Sequence, residues 1–125
     1  MKYIANEKAP KAVGPYSQAT VSNGFIFCSG QIGLDLKTNE LVEGLEAQTH
    51  QVLRNLTEVL KASNSGLDLV IKTTVYLADI NDYPRMNEVY GQYFSERKPA
   101  RAAFAVAHLP KDALIEIEAI AEVSK

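Results

Sequence analysis

The sequence predicts an α+β fold: a single mixed β-sheet carrying two helices on one face, in the order β-β-α-β-α-β-β. Three observations predict it. A tight-turn signal separates two short runs near the N-terminus, two later stretches repeat apolar residues at helical spacing, and a strand-like segment follows each of those stretches. Alternating strands and helices of these lengths require right-handed crossovers, which put both helices on the same side of the sheet.

The first strands are Gln18–Ser22 and Phe25–Gly30, joined by Asn23-Gly24, a strong two-residue hairpin signal. In the second strand Phe25 and Phe27 point one way and Ile26 and Cys28 the other, so both faces are apolar and both need cover. From Gly44 to Ala62, the residues Leu45, Val52, Leu53, Leu56, Val59 and Leu60 form a helical stripe, with Glu46, His50, Arg54 and Lys61 off it. Ser63-Asn64-Ser65-Gly66 ends that helix, and Val70–Leu77 alternates as a strand. Asp82 is placed to cap a second helix, Tyr83–Ser95, whose stripe of Met86, Val89, Tyr90, Tyr93 and Phe94 reads as core. Two more strands follow, Ala102–Val106 and Ala113–Val123, joined by a loop containing His108 and Pro110.

At 125 residues, with 46% hydrophobic and 22% charged residues, the chain reads as one domain over residues 1–125, large enough to bury a core without metal or disulfides. A net charge of −2 and no basic block argue against general affinity for nucleic acid or anionic membrane. No apolar stretch approaches the ~20 residues needed to span a bilayer, and Met1–Lys8 lacks the apolar segment of a secretion signal. A cytoplasmic protein is expected. The single cysteine, Cys28, lies within an apolar strand and reads as a small buried hydrophobe. Phe25–Ser29 is too apolar to face water on the side away from the helices, so a closed homo-oligomer with sites in clefts between subunits is predicted.

Arg101 stands in Lys98-Pro99-Ala100-Arg101, directly before the apolar run Ala102–Val106. A guanidinium there offers a planar fork that matches a carboxylate, making it a grip for a small acid; the alternative is a surface arginine in a structural ion pair. In the last strand Glu116, Glu118, Ile120 and Glu122 share one face. Glu118 and Glu122 read as a solvated or interfacial charge row. Glu116 differs because a short connection would set its strand beside the one starting at Arg101. Gly14-Pro15-Tyr16-Ser17 is a turn carrying an aromatic hydroxyl, and Ser29-Gly30-Gln31-Ile32-Gly33 ends its strand with accessible backbone.

Neither glycine segment is a nucleotide cradle. His50 and His108 lack a metal-ligand pattern, so no metal is assigned. Ser17 and Ser29 lie in no nucleophile elbow, and Cys28 is not at a helix start, which leaves no evident covalent nucleophile. If this is an enzyme, its chemistry is mild.

Six segments together, Gly14–Gln18, Cys28–Ile32, Val70–Tyr76, Asn87–Tyr90, Pro99–Arg101 and Leu109–Asp112 running on through Ile115–Ala119, closely resemble the RidA proteins, the reactive-intermediate deaminases once called YjgF. The resemblance runs nearly end to end. It implies a chorismate-mutase-like, YjgF-type fold assembled as a homotrimer with clefts between subunits. It also implies hydrolysis, without a cofactor, of enamines and imines such as 2-aminoacrylate, released by PLP enzymes, to 2-oxo acids and ammonia. By the same resemblance Arg101 holds the substrate carboxylate and Glu116 positions the hydrolytic water. Tyr16, Ser29 and the Gly30 backbone line the cleft, with Asn87 a further neighbour.

One departure stands out. Many RidA members follow the arginine with Ser and then Cys or Thr, whereas this chain has Ala102 and Ala103, so only backbone groups of Ala103 are offered to substrate. That keeps two other readings open: a non-catalytic trimer that binds 2-oxo acids, and a ribonuclease or translation inhibitor, which the acidic balance weighs against.

Overall fold

The computed structural model describes residues 1–125. Its elements are β1 (Lys2–Ile4), β2 (Ala19–Ser22), β3 (Phe25–Ile32), α1 (Leu45–Ala62), β4 (Val70–Leu77), α2 (Tyr83–Tyr93), β5 (Ala100–Ala105) and β6 (Ile115–Glu122). They form one six-stranded sheet in the order β1-β2-β3-β6-β4-β5. Asn23 and Gly24 take φ values of 53° and 82°, the left-handed pair that a hairpin following the twist of its strands requires. Among the strands and α-helices, only β1 is not expected from the sequence. It is three residues long and pairs Lys2 with Val21, too short for alternation to mark it.

The stripe of α1 is buried as predicted: Leu45, Val52, Leu53, Leu56, Val59 and Leu60 pack on the sheet. From the sheet side Ile26, Val75, Leu77, Ile115 and Ile117 meet them, all fully buried. The strict alternation of β6, with Ile115, Ile117, Ala119 and Ala121 inward, follows from the helices covering one face alone. The other face carries Phe25, Phe27, Ile71 and Phe104, each between 39% and 46% exposed in the single chain.

Two local expectations fail. The second helix stops at Tyr93, two residues short of Ser95, because Phe94 leaves helical geometry at φ −122° while its N–H still bonds the Tyr90 carbonyl. Asp82 occupies the N-cap position without capping; its carboxylate instead takes Arg85 Nη2 at 2.6 Å.

A larger correction concerns Arg101 and Glu116. Their strands are not neighbours. β5 follows a helical crossover and so pairs in parallel with β4, as the outermost strand, while β6 lies antiparallel between β3 and β4. Arg101 is level with Thr73 and Glu116 with Tyr76, so the whole of β4 separates them. The chain reaches β6 by crossing over β4, which gives the alternating, half-apolar β6 the covered central place that the short β5 does not need.

Candidate functional site

Arg101 lies on the helix side of the edge strand. Its guanidinium carbon stands 4.8 Å from the centre of the Tyr90 ring and 5.4 Å from that of Tyr83. Nη2 donates to the Tyr83 hydroxyl at 2.6 Å. Tyr90 is fixed in turn by a 2.7 Å bond between its hydroxyl and the buried Thr73, and its ring lies against Phe94 at 4.7 Å. No carboxylate is within ion-pairing distance of Arg101; the three ion pairs of the chain join Lys61 to Glu58 and Arg85 to Glu46 and Asp82. The structural ion pair weighed for Arg101 is therefore absent. Asn87 falls one helical turn after Tyr83 and one before Tyr90, half-buried on the same side of α2. Ala103, two residues along β5, faces the same way and packs on the core.

A second group of residues sits across the sheet. Tyr16, Ser29, Gly30, Glu116 and Glu118 line one cleft of about 480 Å³, with Lys111 at its side. A β-bulge builds it: Cys28 pairs with Ala119 but Gln31 with Ile117, so the extra residue at Ser29-Gly30 re-aims the strand. Gly30 is needed there because a Cβ on it would sit 2.8 Å from Glu116 Cδ and overlap the carboxyl group. The Ser29 hydroxyl donates to the Ser17 carbonyl at 2.6 Å and its N–H to the Gln18 carbonyl at 2.9 Å, tying down the turn that presents Tyr16. Gln18 anchors the preceding strap, accepting from Asn6 N–H at 2.6 Å and donating to the Pro10 carbonyl at 2.8 Å.

Two acids, Glu116 and Glu118, share this cleft with two lysines, Lys11 and Lys111. Burial, reinforced by the neighbouring Glu118 carboxylate, holds the Glu116 carboxyl above the usual carboxylate range. Tyr76, from β4, donates its hydroxyl to Glu118. That bond, followed by burial and the charges of Glu118 and Glu116, pushes the phenol up to about 12. Sequence reasoning assigned Glu118 to a charge row and passed over Tyr76 and Tyr83; the alternation of β4 and β6 at paired registers is the signal that links Tyr76 to the acids. Cys28 is buried, and burial alone pushes its thiol up to about 12, so it stays a thiol. No three His, Cys, Asp or Glu side chains cluster as a metal site.

One mixed sheet beneath two helices defines an α+β class that solved structures share. E. coli TdcF with bound serine matches it at a TM-score of 0.94 and 38% identity, over 99% of this chain and 100% of that one. A family model described as Endoribonuclease L-PSP matches residues 6–123. The chain is 56% identical over 119 residues to a RutC family protein of Pyrococcus horikoshii, covering 94% of each. It is 50% identical over 121 residues to the human 2-iminobutanoate/2-iminopropanoate deaminase, covering 96% of this chain and 88% of the relative. The chain belongs to the endoribonuclease L-PSP family, the RidA proteins.

Proposed function

We propose that the protein hydrolyses reactive enamines and imines such as 2-aminoacrylate to 2-oxo acids and ammonia, in clefts between the subunits of a homotrimer. The observation that carries this reading is a guanidinium seated on two aromatic rings with no carboxylate of its own chain to neutralise it. A cation kept unpaired on packed rings is poised for an anionic ligand. The human relative's name supplies the reaction class, and the serine in E. coli TdcF is a small molecule bearing the same carboxylate.

Arg101 holds the substrate carboxylate. An enamine first takes a proton on its terminal carbon and becomes the imine; water positioned by Glu116 then attacks the imine carbon, and Glu116, suited by its raised proton affinity, takes the water's proton and passes it to the nitrogen. The tetrahedral adduct collapses to the 2-oxo acid, and protonated nitrogen leaves as ammonia. Imines react readily with water, so positioned acid–base groups worth ~10²–10⁴-fold suffice, with no nucleophile or cofactor of the protein's own.

Because Arg101 packs under α2 and Glu116 faces the opposite side of the sheet, with β4 between them, one chain does not complete the site. A second copy laid on the apolar open face supplies the missing half, and covers Phe25, Phe27 and Phe104. The net charge of −2 and the lack of a basic block weigh against RNA cleavage.

Coupling a PLP-dependent lyase to the protein and following 2-aminoacrylate decay tests the reading. Wild type accelerates the decay, and Arg101→Ala and Glu116→Gln each lose the acceleration. Decay unaffected by wild-type protein indicates a binding module instead. Acceleration retained by Arg101→Ala removes the proposed site.

A further inference from the structure

We propose that Tyr83 is a positioning residue for Arg101: its phenol oxygen aims the guanidinium and leaves the positive charge unspent. The inference rests on the carboxylate-binding role given to Arg101 above and names what sets its affinity. An arginine on an edge strand has a long, rotamer-rich side chain that must be ordered before it binds tightly. Arg85 shows one way to order such a side chain, through Asp82 at 2.6 Å and Glu46 at 3.4 Å, which neutralises it. Arg101 is ordered differently, by a neutral acceptor at 2.6 Å and two ring faces. The phenol takes one of the five guanidinium N–H donors and leaves the rest of the fork for a ligand.

The seat is itself held rigidly. Tyr83 is the first residue of α2, followed by Pro84, whose fixed φ sets the helix start, and the preceding turn is closed by Asp79 accepting from Asn81 N–H at 2.9 Å. Tyr90 is clamped by Thr73 from the central strand. Motion of the guanidinium is thus restrained from the helix start on one side and from the sheet on the other. The contact that Tyr83 makes is to the guanidinium, so its assigned effect on the reaction passes through the direction of Arg101.

Carboxylate capture is binding energy shared by ground state and transition state, so its loss appears in KM rather than kcat. Tyr83→Phe keeps the ring and deletes the acceptor. We expect KM for the imine to rise about tenfold, the scale of one charge-assisted hydrogen bond, with kcat within about twofold of wild type. The Kd of 2-oxobutanoate, measured by calorimetry, rises by the same factor. Tyr93→Phe, which removes a similarly short phenol bond of 2.7 Å to His50 on α1, leaves KM and Kd unchanged.

Wild-type KM and Kd in Tyr83→Phe overturn the inference, and so does a fall in kcat that tracks a lowered Tm without a change in Kd. Arg101→Ala separates the two levels. If it retains wild-type Kd for 2-oxobutanoate, the site itself is misassigned. If it loses binding while Tyr83→Phe binds as wild type, only the positioning role fails.

Discussion

The two halves of the candidate site are built by opposite means. The cationic half, on β5, is made by side-chain packing: two tyrosine rings and one phenol hold Arg101 beneath α2. The acidic half, on β3 and β6, is made by backbone. A bulge and a missing side chain at Gly30 open the room that the Glu116 carboxyl occupies. Packing can leave a charge unpaired, because rings screen it from water without cancelling it. A backbone void can leave a carboxyl half-desolvated, which raises its proton affinity. In the proposed reaction a cation grips and an acid exchanges protons, which need those two different surroundings, and a single sheet supplies them on opposite faces.

That contrast is sharpest where a substitution touches only one half. Gly30→Ala is expected to have the largest effect of these, a fall in kcat of roughly thirtyfold with the fold intact, since the new methyl collides with a flexible carboxyl and not with backbone. Steady-state kinetics beside a circular dichroism spectrum check it; unchanged kcat would mean that Glu116 needs no such room. Arg101→Lys keeps the charge but loses the planar fork, and should raise KM about tenfold while kcat changes little. A change confined to kcat would break the division of labour between the halves.

Glu118→Gln gives the smallest effect, seen in pH dependence. In the proposed mechanism Glu116 works ionised, so the rate is expected to fall as pH drops through its pKa. The Glu118 charge raises that pKa, and removing it lowers the pKa and moves the acid limb of the pH–rate profile to lower pH. A limb that stays put, or moves to higher pH, contradicts the electrostatic account of the cleft.

The packing half was the harder one to read from sequence. The stripes of α1 and α2, the Asn23-Gly24 turn and the alternation of β6 are local signals, and each appears in the fold close to its expected bounds. Arg101, Glu116, Tyr16, Ser29 and Gly30 stand out as residue types at strand ends and turns. Which of them meet depends on strand order, which is not local. A nine-residue connection from β5 to β6, residues 106–114, invites pairing of the two strands, yet it passes over β4 instead. Tyr83 was hidden for a similar reason. It starts the apolar stripe of α2, three residues before Met86, so spacing marks it only as core, and its partner lies eighteen residues away on a strand whose position only the crossover determines. The bulge at Ser29-Gly30 was legible only as glycine, since a register shift shows itself in the partner strand.

Subunit complementation tests the central claim most directly. Arg101→Ala and Glu116→Gln proteins, each inactive alone, are unfolded together in equal amounts, refolded and assayed for 2-aminoacrylate decay. If every site takes its arginine from one chain and its glutamate from the next, one site in four is intact after random assembly, and about a quarter of the wild-type rate returns. A mixture as inactive as its components would place both groups in a single chain's site, and would contradict the account.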